Sequence, residues 1–331
     1  MRLRIVLAGD TMLGRGVAET LRVQKPESLV SPEVVSFARD SDFVFLNLEC
    51  CISERGTKWL DPYKPFFFRA PPIAVKTLQH LGVRCVTLAN NHALDFSEEG
   101  LLDTFEHLKE EGIAYVGAGK NLEEARAFRV FTVAETSLAI VAFSDHPEDY
   151  AAKEDKPGIA YADLRGGVDR WVREAVSTAR KSAEIVLVSP HWGPNMVDSP
   201  LPYIRDAAEE LKHAGATLIA GHSAHVFHGV KDGILYDLGD FLDDYATHPI
   251  LRNDLGLLFR VVIEGGNILR IEALPLHLDY CYTEMAREED WEWIRNRFTS
   301  ACAEFGTEVH VEGELLVIES PNYRKDTQET K

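Results

Sequence analysis

The sequence is short of the features that define several protein classes. It has 5 cysteines, at positions 50, 51, 85, 281 and 302, and no Cys-x-x-Cys pair. An odd, scattered set argues against a disulfide framework or a structural zinc site, and reduced, buried thiols are expected. No window approaches the ~20 apolar residues of a membrane span. Residues 1–8 run directly into an apolar strand pattern with no signal-like stretch before it, so the expected location is the cytoplasm. Cations are scarce: 35 Lys and Arg stand against 53 Asp and Glu, a formal net charge of −18. That balance disfavours gripping nucleic acid. It leaves a phosphorylated small molecule open as substrate, because bound cations invert the charge of a local site. A Gly-x-Ser-x-Gly elbow, a Walker loop and a Gly-x-Gly-x-x-Gly fingerprint after the first strand are all missing. Serine-nucleophile and nucleotide-fuelled chemistry therefore lack support. Cys50 and Cys51 have no local basic partner to make a nucleophile.

What is present is an ordinary globular composition, 331 residues with 45% hydrophobic and 27% charged. Short β-rich apolar runs at 4–8, 42–48, 83–89, 114–116, 184–189, 218–220, 233–237, 257–263, 267–275 and 314–318 read as strands. Residues 128–133 and 137–144 read as an antiparallel hairpin. Helical patterns fall at 32–39, 97–111, 168–179, 203–214 and 288–305. The mixture predicts an α/β protein with antiparallel additions. Residues 53–72 break the pattern with prolines, aromatics and cations, and read equally as a lid or as a packed surface excursion. The polar tail from Pro321 is expected to fray.

The informative feature is what stands at the strand ends. Asp10 follows Gly9, Glu49 follows Asn47-Leu48, and Asn91 and His92 follow Asn90. His191 follows Pro190, and His222 and His225 close the last of these runs. In open α/β sheets, ligands bind outside the carboxyl ends of the strands. Singly, each residue has a commoner role: Asp10 as a helix cap, Glu49 as a surface acid, Asn91 as a turn residue, a histidine in the core. Jointly, they supply two carboxylates, an amide oxygen and three imidazoles, a set suited to Zn²⁺, Mn²⁺ or Fe. Glu49 is placed to bridge two ions ~3.5–4 Å apart, as in two-metal hydrolytic sites.

Several motifs carry a resemblance: Gly9-Asp10-Thr11-Met12-Leu13-Gly14-Arg15, Asn47-Leu48-Glu49, Leu88-Ala89-Asn90-Asn91-His92-Ala93-Leu94-Asp95, His191-Trp192-Gly193, Gly221-His222 through His225-Val226, and Tyr236-Asp237-Leu238-Gly239-Asp240-Phe241. In this order they resemble the CapA family, the poly-γ-glutamate capsule-synthesis proteins within the calcineurin-like metallophosphoesterase superfamily. The resemblance implies a four-layer α-β-β-α sandwich with mixed sheets over residues 1–280, followed by a packed helix-and-strand extension, 281–320, and the tail 321–331. It implies that Asp10, Glu49 and His225 hold one divalent metal ion, and that Glu49, Asn91, His191 and His222 hold a second. His92 would protonate the leaving oxygen. This chain departs from common phosphoesterases in having Met12 where a histidine is usual, Glu49 where the bridging acid is aspartate, and one extra residue between His222 and His225. It also has Asp240 where the family usually has asparagine. Family members are often membrane-anchored, and no anchor is evident here.

The expected chemistry is hydrolysis of a phosphate ester by metal-activated water, with His92 as general acid. Asp95 reads either as the group that orients His92 or, slightly preferred, as a cap for the helix at 97–111. Arg15 reads equally as a bidentate phosphate ligand or as an exposed first-turn arginine. His146 reads as a loop residue more readily than a cleft residue, and His228 and His248 as surface or supporting residues. The rival to phosphate-ester hydrolysis is a CapA-like enzyme or accessory protein acting on poly-γ-glutamate or a γ-glutamyl amide. The expected partner is a small phosphorylated molecule, with neither membrane nor nucleic acid involved. The oligomeric state and the identity of the substrate stay open.

Overall fold

The computed structural model describes residues 2–320. The tail expected to fray from Pro321 lies outside the described residues. In chain order the main elements are β1 (Arg2–Thr11), α1 (Arg15–Thr20), α2 (Pro32–Arg39), β2 (Phe43–Leu48), α3 (Val75–Leu81), β3 (Val83–Thr87), α4 (Ser97–Glu110) and β4 (Ala114–Val116). They continue with β5 (Arg129–Val133), β6 (Thr136–Ser144), α5 (Arg170–Ser182), β7 (Ile185–His191), α6 (Pro202–Ala214), β8 (Leu218–Ala220), β9 (Ile234–Leu235) and β10 (Asp240–Leu242). The last are β11 (Leu255–Glu264), β12 (Asn267–Asp279), α7 (Glu288–Ala303) and β13 (Leu315–Glu319).

Two mixed sheets stack face to face. The first runs β13-β12-β11-β1-β2-β3-β4, with the edge strand His310–Glu312 outside β13 and β10 also pairing with β1. Strands β1 to β4 are mutually parallel, while β11 is antiparallel to β1 and starts a meander through β12 and β13. The second sheet runs β9-β8-β7-β6-β5 with the edge strand Val230–Lys231 outside β9, parallel except for the β5–β6 hairpin and that antiparallel edge.

Alternation along each strand explains the four layers. Successive side chains point to opposite faces, and here both faces are apolar. Leu3, Ile5 and Leu7 of β1 and Phe43 and Phe45 of β2 meet Leu138, Ile140, Ile185 and Leu187 of the other sheet in the central core. The intervening Val6, Ala8, Val44 and Leu46 pack against Val34, Val35, Leu78, Leu101 and Phe105 of α2, α3 and α4. Val141, Phe143, Val186 and Val188 pack against Val172, Val176, Ala207 and Leu211 of α5 and α6. Each such fully buried side chain contributes roughly 1.5–3 kcal/mol by removal from water. The result is an α-β-β-α sandwich with mixed sheets. Helix α7 inserts Ile294, Phe298 and Cys302 into the central core, and β13 extends the first sheet.

Helix α2 begins where Ser31 accepts from the Val34 amide and Pro32 takes the first position. Helices α1 and α3, and the strand Tyr282–Met285, have no counterpart among the expected elements. Both helices are under eight residues, too short for a clear 3.6-residue period.

One close approach sets the geometry of the cleft. The Asp10 amide donates to the Gly239 carbonyl at 2.9 Å, and a Cβ on Gly9 would lie 1.9 Å from that same oxygen. Only glycine at position 9 lets β1 and the 236–241 turn touch. Gly9→Ala is therefore expected to destabilise the fold by about 1–3 kcal/mol or more, read as a lower urea midpoint. An unchanged midpoint would show that the contact is not needed.

Candidate metal centre

The parallel strands of both sheets aim their carboxyl ends at one place. Asp10 lies near the end of β1, Glu49 just past β2, and Asn91 and His92 in the turn after β3. His191 is the last residue of β7, His222 lies two past β8, and Asp240 opens β10. His191 and His222 are themselves bridged by backbone pairing. Ligand-capable atoms of Asp10, Glu49, His225 and Asp240 all fall within 4.8 Å of one another, and all four residues are buried.

A polar relay ties the strand ends together. Asn47 donates to Asp10 Oδ1 at 2.8 Å, Asn90 donates to Asn47 Oδ1 at 2.9 Å, and the His92 amide donates to Asn90 Oδ1 at 3.0 Å. The loop carrying His225 is equally constrained. Ser223 has φ 111° and His225 φ 61°, a region costly for residues with a Cβ. The loop holds that shape because the amide of Ser223 donates to Asp10 Oδ2 at 3.3 Å and the amide of Ala224 to Asp237 Oδ2 at 2.8 Å. Asp237 Oδ1 accepts in turn from the Gly239 amide at 2.8 Å.

Against this order stands a set of buried atoms with no hydrogen-bond partner: both oxygens of Glu49, both ring nitrogens of His191 and of His222, Asn91 Oδ1 and Asp240 Oδ2. Nδ1 of His222 is 3.1 Å from Asp10 Oδ1 but is not aligned as a hydrogen bond. A buried polar group left unpaired costs about 1–3 kcal/mol, and more if charged. Electrostatics sharpen the point. Burial, then the Asp10 charge, raises the Glu49 carboxyl far above its usual range. Burial and the neighbouring Asp243, Asp10 and Asp237 do the same to Asp240. Burial pushes Asp10 up too, but the adjacent His222, His225 and His191 outweigh it and hold Asp10 low. Burial drives His191 well below its normal value. Imidazole nitrogens, an amide oxygen and mutually repelling carboxylates are the donor set of a divalent cation, which would satisfy these atoms together. The residues present therefore fit a metal centre.

Asp240, left without a role by sequence reasoning, is central to the cluster: its Oδ1 lies 2.8 Å from His225 Nδ1. Met12, standing where a histidine is usual, is turned away, its sulfur accepting from the Gly14 amide at 3.0 Å. An extra acid, Asp240, thus stands in the cluster, to which Met12 offers no imidazole. Pairing those two departures was the available signal in the sequence.

His92 and Asp95 form a second constellation. Asp95 Oδ2 lies 2.6 Å from His92 Nδ1. The preference for Asp95 as a helix cap is corrected: the residue preceding α4 is Phe96, without any side-chain cap bond, and Asp95 faces His92 instead. Asp95 also accepts from the Phe68 amide at 2.6 Å and Tyr150 Oη at 3.0 Å, and lies 3.1 Å from Lys64 Nζ. The Lys64 ammonium bonds the Asn91 carbonyl at 2.6 Å as well, and the Phe68 ring stacks on His92 at 3.9 Å. Residues 53–72 thus include a segment packed onto the site. Burial outweighs Asp95 and moves His92 down to about 4, so at neutral pH the ring is uncharged.

Arg15 is held beside the site by Asp244. Its guanidinium reaches both oxygens of Asp244, at 2.7 and 3.1 Å, and lies over the rings of Phe66, Phe68 and Tyr245. The buried hydroxyl of Tyr245 has no partner, and burial beside Glu49 and Asp240 raises it far above a normal phenol. His228 bonds the Val197 carbonyl at 2.9 Å, away from the cluster.

The α-β-β-α sandwich defines the class, a metallophosphoesterase-like fold. The chain belongs to a particular family within that class: residues 4–245 match the model described as "Bacterial capsule synthesis protein PGA_cap". A "Probable polyglutamine synthesis accessory protein" of Mycobacterium tuberculosis is 31% identical over 357 residues, covering 92% of each chain. "PGA biosynthesis protein CapA" of Bacillus subtilis is 31% identical over 277 residues, 82% of this chain and 70% of that one. Among solved structures, "a novel phosphatase" of Mycoplasma pneumoniae superposes with a TM-score of 0.50 at 11% identity, over 84% of this chain and 94% of that one. That last likeness concerns the fold alone. Among the described residues no helix is long and apolar enough to cross a membrane.

Glu49 gives a sharp test. With its folded pKa raised, the carboxyl binds a proton more readily folded than unfolded, so it lowers stability increasingly as pH rises above its unfolded value. In metal-stripped protein, Glu49→Gln is expected to gain stability over the parent as pH rises from 5 towards 8, by up to ~1.4 kcal/mol per pH unit within that window. The same variant is expected to lose the stabilisation that added Mn²⁺ confers. Thermal melts with and without metal check both, and a pH-independent difference would contradict the account.

Proposed function

We propose that this chain is a CapA-type, metal-dependent hydrolase working in poly-γ-glutamate metabolism. The observation that carries the metal-dependent part is Glu49, fully buried with both oxygens unpartnered beside Asp10, His225 and Asp240. When bound, divalent cations such as Mn²⁺, Zn²⁺ or Fe supply a Lewis acid and a water acidic enough to ionise near neutral pH. Asp10, Glu49, His225 and Asp240 are the candidate holders of one ion, and Glu49, Asn91, His191 and His222 of a second.

The chain's own residues do the rest. Asp95 fixes His92 through Nδ1 and leaves Nε2 to exchange a proton with the leaving group. Burial favours the neutral ring, so the proton that it would donate is one taken up from solvent as the substrate binds. An incoming anion, which favours the charged imidazole, supplies the driving force. Phe68, stacked on His92, and Lys64, bridging Asn91 and Asp95, hold the ring and its turn in place. The free, buried cysteines support a reducing compartment such as the cytoplasm.

The names of the relatives favour poly-γ-glutamate or a γ-glutamyl amide as the setting over a free phosphate ester. A phosphate ester is the second reading, favoured by the fold and by the paired His92 and Asp95. Both share the site and differ in the bond broken. With Mn²⁺, turnover of a γ-glutamyl peptide without phosphate release supports the first, and phosphate release from aryl phosphates supports the second. Chelation abolishes either. His92→Asn is expected to lower kcat by about 10²–10⁴-fold with metal content unchanged. Inertness towards both substrate classes in metal-loaded protein would refute an enzymatic role.

A further inference from the structure

A second histidine–carboxylate pair stands on the other sheet. Ser144 ends β6, next to the end of β7 in the parallel pairing that sets Ser144 beside His191. The chain then turns through Asp145 and His146. The Asp145 amide donates to the His191 carbonyl at 3.0 Å, and Asp145 Oδ2 accepts from the Gly193 amide at 3.0 Å. Its other oxygen holds His146 Nδ1. The His146 ring lies 5.1 Å from the His191 ring, centre to centre. Asp145 is 10% exposed at its side chain and His146 34%.

This is more than a surface loop requires. Asp145 is nearly buried, tied by its amide to the His191 carbonyl and by its carboxylate to the Gly193 amide, and it fixes one nitrogen of a ring whose Nε2 has no hydrogen-bond partner among the described residues. A solvent-facing histidine gains nothing from that support. A histidine positioned at the mouth of a site does, because rigid placement lowers the cost of making a contact. His92 already serves the β3 side of the site, and His146 has the same construction on the β7 side.

We propose that His146, positioned by Asp145, is a further substrate-contacting residue, donating from Nε2 to an anionic oxygen of the substrate beside His191. The oxygen belongs to a phosphate or to a carboxylate, which look alike to a single N–H donor. This rests on the hydrolase reading above and adds a residue to it.

The test is calorimetric titration of Mn²⁺-loaded protein with two probes, inorganic phosphate and γ-glutamylglutamate, alongside elemental analysis of each variant. The parent is expected to bind at least one probe, and which one identifies the oxygen's source. His146→Ala is expected to weaken that probe at least tenfold with metal content unchanged, and His146→Gln, which keeps an N–H donor, to recover part of the loss. Asp145→Asn is expected to fall between parent and His146→Ala. Circular dichroism melts identify any variant that fails to fold, and His146→Gln then serves as the readout. Equal affinity in parent and His146 variants overturns the proposal. So does loss of metal on His146 substitution, which would make it a ligand to the ion. A parent that binds neither probe refutes the hydrolase reading itself, and the proposal falls with it.

Discussion

The structure depends on a cost that the polypeptide alone does not meet. Glu49 is wholly buried, has neither oxygen hydrogen-bonded, and sits against a second carboxylate. Around it, imidazole nitrogens and an amide oxygen are equally without partners. Such a concentration of unsatisfied groups is unfavourable in a low-dielectric interior. It persists because the two sheets, whose three apolar cores are extensive, force their strand ends together whatever stands there. The cores supply the stability, and the strand ends carry a charge problem that a divalent cation would solve.

Everything near the site can be read as support for that arrangement. The contact between Gly9 and Gly239 sets how near β1 comes to the last turn. Asp237 pins the strained loop that presents His225. The Asn47–Asn90 relay connects Asp10 to the His92 backbone. Asp95 collects a histidine, a lysine, a tyrosine hydroxyl and a backbone amide, so one carboxylate ties the position of His92 to that of Lys64 and Phe68 in the 53–72 loop. A change to any of these acts on the cluster through geometry, even where the residue itself touches no ion.

Much of this was legible in the sequence, and the reason is physical. Buried strands of an α/β sandwich are short apolar runs, and residues 42–48, 184–189 and 218–220 stand out as such. Polar residues directly after them must lie at the sheet ends, so Asp10, Glu49, His191 and His222 could be selected without coordinates. Asp240 was less legible because its role depends on a neighbour, His225, and on the missing histidine at Met12, and neither is local to it. Lys64 lay inside a loop with no period to read. Arg15 followed a promising motif, yet Asp244, more than two hundred residues away, captures its guanidinium. Asp95 was ambiguous since an acid before a helix usually caps it, and only the three-dimensional path of residues 92–96 turns it to His92. Long-range polar pairing is what sequence periodicity does not encode.

The central claim is that the buried cluster is a cation site, and the most direct measurement is the metal content of protein purified without chelator, followed through chelation and re-addition. The account predicts Mn, Zn or Fe at one to two equivalents per chain, a fall in melting temperature when the metal is stripped, and recovery when Mn²⁺ returns. Protein that carries no metal, and whose melting temperature is indifferent to both chelator and micromolar Mn²⁺, would contradict it.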